Sequence, residues 1–207
     1  MTVTTRASTR PVLGFSAPAV GFEQPFAMLE ACHERVLRTL ALLARLRAHV
    51  LLHGADDNAR QAARDVLRYF DIAAPLHHQD EELHVFPLLM ADASAEVKTL
   101  VQRLHTDHTH MTADWAAARG PLQALADQVP DRDVGEVGSA NAAGDGGGPN
   151  PPVFSPDDNA ALDRFATRYA DHIEAEEGIA YPAALQLLPP ESLPAMGREM
   201  AARRGAS

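Results

Sequence analysis

The sequence predicts an all-α protein, an up-down-up-down four-helix bundle, and three observations predict it. Ala and Leu dominate while Val, Ile and Thr are thin, a balance that favours helix over sheet. Four stretches of about thirty residues carry apolar side chains at helical spacing, each roughly 45 Å long as a helix. Short connections join them, apart from one long Gly/Pro-rich loop between the third and the fourth.

The first element runs from about Gln24 to His53, with Leu29, Val36, Leu40, Leu43 and Val50 on successive turns. Pro25 suits its first turn and Gly54 its end. The second begins at Asp56-Asp57-Asn58, which supplies N-cap residues, and continues to about Met90. Pro75 lies inside it and removes a backbone donor, so a kink or bulge is expected just ahead of His77. The third spans Ser94 to Asp127, with Ser94 as N-cap and Val97, Leu100, Val101, Leu104, Met111 and Trp115 along it. Gly120-Pro121 interrupts that pattern, and a bend or restart is expected there.

Residues 130–156 contain Gly144 to Pro152, a run with no core face, which predicts a flexible insertion. The fourth element opens at Ser155-Pro156-Asp157 and runs through Leu162, Phe165, Tyr169 and Ile173 to about Leu188, where Pro189-Pro190 stops it. Residues 191–204 add a short amphipathic helix ending in Arg203-Arg204, exposed and able to serve a dimer. The expected organisation is a disordered tail over 1–22, one bundle over 23–190, and a short helix and tail over 191–207. Monomer or homodimer is the expected state.

Composition excludes several roles. A net charge of -10 argues against a nucleic-acid or anionic-membrane partner, which would want a basic face. Cys32 is the one cysteine, so an intramolecular disulfide and a thiolate metal cluster are excluded. The first twenty residues are broken by Pro11, Gly14 and Pro18, and no window offers the roughly twenty apolar residues of a membrane span. A cytoplasmic protein is expected.

The ten histidines are the anomaly, scattered along segments that otherwise look helical. Four of them sit in a duplication. His77-His78-Gln79-Asp80-Glu81-Glu82-Leu83-His84-Val85-Phe86-Pro87 is matched by His172-Ile173-Glu174-Ala175-Glu176-Glu177-Gly178-Ile179-Ala180-Tyr181-Pro182. Each copy runs His, three residues, Glu-Glu, three residues, an aromatic, Pro. On a helix, a His and a Glu four apart project from one face, and together they make half of a metal site. Leu83, Val85, Phe86, Leu88 and Leu89 follow the first pair, so the carboxylate is heading for an apolar interior, where a cation would compensate it. The shared offset to Pro87 and Pro182 selects His77/Glu81 over the alternative pair His78/Glu82. It leaves Glu82 and Glu177 as outer carboxylates. His84, seven residues after His77, falls on nearly the same face and could line the cavity. His49 and His53, near the end of the first helix, need no metal to explain them.

With these residues the chain resembles the hemerythrin-like, HHE-type cation-binding proteins, whose helical bundles hold a non-haem diiron centre. The resemblance covers nearly all of residues 24–188. It implies metal ligation by His77 with Glu81 and by His172 with Glu176, and places the first helix's ligand at His33. His33 precedes Leu37 and Leu40 by four and seven residues, which puts it on the expected inward stripe. The third helix offers His105, His108 and His110; Asp107-His108 with Leu104 fits best, with His105 as the alternative. Two iron ions bridged by carboxylates and an oxo or hydroxo group are implied, with Mn or Zn as substitutes. Nitrogen and carboxylate donors without thiolate suit such metals.

The classical oxygen carriers of that family add a second His four residues along the third helix. Here Thr109 and Thr112 stand at that spacing after His105 and His108. Reversible oxygen carriage is therefore not the expectation. The favoured reading is a module that binds or senses a small diatomic ligand, O2 or NO, or handles iron. The alternatives are an oxidoreductase acting on NO or peroxide, iron-sulfur cluster repair, and a structural bundle without metal. No residue beyond the metal shell is put forward as catalytic.

Overall fold

The computed structural model describes residues 21–128 and 152–206, and everything regular in them is helix. The predicted tail over 1–22 lies outside the described residues except for Gly21 and Phe22. The insertion over 130–156 does so except for its last five positions. One of those, Phe154, is buried at 4% exposure in the core. Four long helical rods follow one another: α1 (Pro25–His53), α2 (57–92), α3 (Ala95–Ala126) and α4 (156–187). After a 3-10 turn at Pro190–Ser192 comes a short helix, α5 (Leu193–Arg203). Among the described residues no helix is long and apolar enough to cross a membrane.

The ends of the rods are set by local chemistry. Gly54 closes α1 at φ 69°, a backbone region costly for a residue with a Cβ, and its N–H returns to the carbonyl of Val50. Asp56 caps α2 by accepting from the Ala59 N–H at 2.8 Å, and Ser94 caps α3 through the Val97 N–H. Ser155 and Asp158 form a reciprocal capping box at the head of α4. Each such cap contributes about 1 kcal/mol. The interruption expected at Gly120-Pro121 does not occur. Pro121 sits inside a continuous helix whose next turn buries Leu122, Leu125 and Ala126, and that packing outweighs the lost donor.

Pro75 does mark a bulge, and it is one of three among the described residues. α2 widens into π turns at Tyr69–Ala73 and Glu81–Val85, and α4 widens at Glu176–Ala180. In each, an N–H bonds the carbonyl five residues back: Ala74 to Tyr69, Phe86 to Glu81, Tyr181 to Glu176. The next residue is a proline every time, Pro75, Pro87 or Pro182. A proline there has no N–H to lose, so the wider turn strands no donor.

The rods enclose two apolar clusters. One joins Val36, Leu43, Val66, Phe70, Leu122 and Phe165. The other joins Leu29, Val85, Leu89, Leu104, Tyr181 and Met200. α5 belongs to the second. It docks on its own chain by Met196, Gly197 and Met200, contrary to the exposed helix expected, because its apolar stripe faces inward. A Cβ on Gly197 would lie 1.8 Å from the carbonyl oxygen of Phe22, so only glycine permits this approach.

α5 also carries the compensation for a buried charge. Asp80 has 0% exposure, and Arg203 and Arg204 both bond its carboxylate, Arg204 at 2.6 Å. Removing both partners leaves an uncompensated buried carboxylate. Arg203→Ala/Arg204→Ala should therefore cost about 3–5 kcal/mol in denaturant unfolding; a loss below about 1 kcal/mol would show that the clamp carries no stability.

Candidate metal centre

Between the two apolar clusters lies a polar layer. His33 falls between Leu29 of one cluster and Val36 of the other, and His108 between Leu104 and Met111. Glu81 stands likewise between Ala74 and Val85, and Glu176 between Ile173 and Ala180. All six residues put forward from the sequence are buried: His33, His77, Glu81, His108, His172 and Glu176. Burial of so many ionisable groups in one layer calls for compensation.

Their donor atoms converge as two groups. His33, His77, Glu81 and Glu176 bring one atom each within 4.8 Å of one another, and His108, His172 and Glu176 do the same. Glu176 belongs to both. His33 Nε2 is 3.1 Å from Glu176 Oε2, and His172 Nε2 is 3.0 Å from Glu176 Oε1. His77 Nε2 is 3.4 Å from Glu81 Oε1, and His108 Nε2 is 3.5 Å from Glu81 Oε2. Each carboxylate thus turns one oxygen to each group. Glu81 Oε2 and both oxygens of Glu176 are buried without a hydrogen bond. A donor set of imidazoles and carboxylates with unsatisfied, convergent atoms fits a pair of cations.

The second Glu of each doublet has a defined task. Glu177 accepts from His33 Nδ1–H at 2.8 Å, and Glu82 accepts from His108 Nδ1–H at 2.9 Å. A carboxylate can only accept, so the proton sits on Nδ1 and the Nε2 lone pair turns inward. The aromatic of each copy lies on the same two rings. Tyr181 stacks on His33 at 5.6 Å and 5°, and Phe86 stacks on His108 at 5.4 Å and 25°. The duplicated motif therefore places a buried His-Glu pair on its own helix and fixes a histidine on another.

His105 and His110 are exposed, and His105 lines an outward groove with Pro87 and Gln102, so neither enters the layer. Asp107 faces His172 Nδ1 at 3.5 Å. His84 does not line the cavity. The π turn at Glu81–Val85 adds a residue between it and His77, and it turns instead to Arg203 at 3.1 Å and Glu199 at 3.5 Å. Leu37, expected on the inward stripe with His33, is 49% exposed, while Val36 at 2% takes that place. Spacings of three and four both satisfy a helix, which is why the sequence left the choice open. Tyr181 supplies a feature that the motif alone did not reveal: its hydroxyl donates to Glu81 Oε1 and lies 3.3 Å from His33 Nε2.

These contacts set the protonation states. Burial pushes the Glu81 carboxyl well above the ordinary range, and the Glu176 charge pushes it further. Burial also works against the Glu176 charge, but the imidazoles of His108, His172 and His33, gathered close around it, hold that carboxyl well below its usual value. Burial opposes protonation of His33, yet Glu176 and Glu177 outweigh it and raise its pKa. Burial, helped by the charge of His33, keeps His77 well below the ordinary histidine range. The two carboxyls of the layer are thus pushed in opposite directions, Glu81 towards its neutral form and Glu176 towards its charged one.

Comparison with known proteins places this geometry. Residues 24–184 match the model of the hemerythrin HHE cation-binding domain. The chain belongs to that family. It is also similar to an uncharacterized protein of Haemophilus influenzae, 29% identical over 183 residues, covering 88% of this chain and 91% of the relative. The family's matched segment stops before α5, so the helix that clamps Asp80 lies outside that match.

A pH prediction follows from the raised Glu81. In the metal-free fold this carboxyl stays protonated above its unfolded value, so its contribution to stability is lost as pH rises through that window. Glu81→Gln removes the dependence. Chelator-treated wild type and variant should diverge with rising pH, the variant gaining about 1.4 kcal/mol for each unit by which Glu81 is raised. Parallel denaturation curves at acidic and alkaline pH would contradict it.

Proposed function

We propose that this hemerythrin HHE protein is a non-haem diiron protein that binds or senses a small ligand, O2 or NO, or handles iron. The observation that carries the reading is the sharing of Glu176 between two buried ligand groups, with Glu81 facing both. His33 and His77 would hold one ion and His108 and His172 the other, with the two carboxylates bridging. Two short connections, at 54–56 and 93–94, favour antiparallel neighbours, and an up-down-up-down bundle accounts for ligands arriving from all four rods. Iron bound there supplies Lewis acidity and a redox change beside a small ligand. The chain's own residues orient and insulate: Glu82 and Glu177 fix two rings, Phe86 and Tyr181 cover them, and the apolar clusters exclude water on both sides. The buried, lone Cys32 fits a reducing cytoplasm.

The alternative is an oxidoreductase acting on NO or peroxide, or a protein of iron-sulfur cluster repair. Stopped-flow oxidation separates the two. One stoichiometric oxidation per reduced centre supports the binding module, and repeated turnover with a chemical electron donor supports the enzyme.

Anaerobically purified protein should hold about two irons per chain, the occupancy of a two-metal site. His77→Ala and Glu176→Ala should lose iron, whereas His49→Ala, whose ring pairs with Asp56 at 3.0 Å, should keep it. Glu82→Gln and Glu177→Gln should weaken metal affinity roughly 10–100-fold, as loss of an outer partner does. Metal analysis after competition with a chelator checks all five; equal loss in His49→Ala would overturn the assignment.

A further inference from the structure

The two copies of the motif differ at two places that matter to the layer between them. Where the second copy has Ile173 the first has His78, and where the first has Phe86 the second has Tyr181. Each half of the centre thereby gains one polar group that its counterpart lacks. Tyr181 is buried and its hydroxyl is spent on Glu81. His78 differs. It is half-buried, and no described residue gives it a hydrogen bond.

His78 stacks on His108 with centroids 4.0 Å apart and planes 12° from parallel, while Phe86 covers His108 as well. Its ring lies 6.4 Å from that of His172. The imidazole therefore stands beside the His108–His172 half of the centre without joining either ligand group. It also lines a cavity of about 130 Å³ together with Phe70, Ala74, Met111, Thr112, Trp115 and Tyr169. That lining is mostly apolar. Thr112 directs its hydroxyl to the carbonyl of His108 and Trp115 its N–H to Asp71. His78 and the Tyr169 hydroxyl are then the lining groups without a hydrogen bond among the described residues, and of the two only His78 stacks on a ring of the layer. The cavity wall at Phe70 and Ala74 is built by the π turn at Tyr69–Ala73, held to α3 by Asp71, which accepts from Trp115 and Arg119.

Resting on the diiron reading above, we propose that His78 is a ligand-binding residue. Its ring N–H donates to a small anionic or polar diatomic ligand that enters through this cavity and binds on the His108–His172 side. A neutral imidazole keeps one N–H, and a hydrogen bond to a charged acceptor in an enclosed apolar site is among the stronger ones. A cavity of this size has room for a ligand of two or three atoms. The two metal positions are then unequal: the His33–His77 side is sealed by Tyr181, and the His108–His172 side receives the ligand.

The test titrates azide into the iron-loaded full chain and follows the optical spectrum, with iron content measured on the same samples. His78→Leu should keep its iron and lose azide affinity by roughly tenfold or more, the worth of one hydrogen bond to a charged group. His78→Gln, which restores a donor, should recover part of the loss, and the exposed His105→Leu should bind azide as the wild type does. Unchanged azide affinity in His78→Leu overturns the proposal. Loss of iron from His78→Leu overturns it too, since His78 would then be a metal ligand. Wild-type protein that takes up no iron refutes the diiron reading itself, a result separable from failure at His78 alone.

Discussion

Two carboxylates with no exposure, Glu81 and Glu176, face each other across the middle of an otherwise apolar bundle, and four imidazoles close around them. Taking such charges out of water is expensive, and proteins keep them only where something positive answers them. In the metal-free state the answer is partial: the imidazoles around Glu176 favour its charge, while burial and that charge disfavour ionisation of Glu81. Two cations would complete it. Much of the remaining architecture follows from keeping those atoms in place. The layer divides the core into two clusters, and each rod passes through it with one apolar side above and one below.

The duplicated motif is the device that builds the layer economically. Its His and first Glu face inward from their own helix, its second Glu orients a histidine on another helix, and its aromatic stacks on that same ring. The π turn between them is what allows one short segment to do all this. By inserting an extra residue after Glu81 and Glu176 it resets the helical phase, and the proline that follows makes the wider turn cheap. π turns at functional positions are a common pattern, and here they coincide with the two carboxylates.

Much of this was legible in the sequence. Ser94, Ser155, Asp56 and Gly54 mark helix ends that the structure places within a residue or two, because capping is local chemistry. The six convergent side chains were also legible, four from the duplication and two through resemblance. What escaped was non-local or depended on phase. His84 leaves the site because of a π turn that periodicity cannot register, and Leu37 yields to Val36 because both spacings are helical. Pro121 is carried through a helix that packing supports. The docking of α5, with Gly197 against Phe22 and two arginines on Asp80, joins residues far apart in the chain, and no local pattern announces it.

The central claim is that two metal ions share Glu81 and Glu176 between the His33–His77 and His108–His172 pairs. Anomalous diffraction from crystals of the iron-loaded protein, recorded on both sides of the iron absorption edge, tests it most directly. The account predicts two peaks inside the bundle, about 3.5–4 Å apart, each against its own histidine pair and both against the two carboxylates. A single peak, or iron held at His49 and Asp56 or elsewhere on the surface, would contradict it.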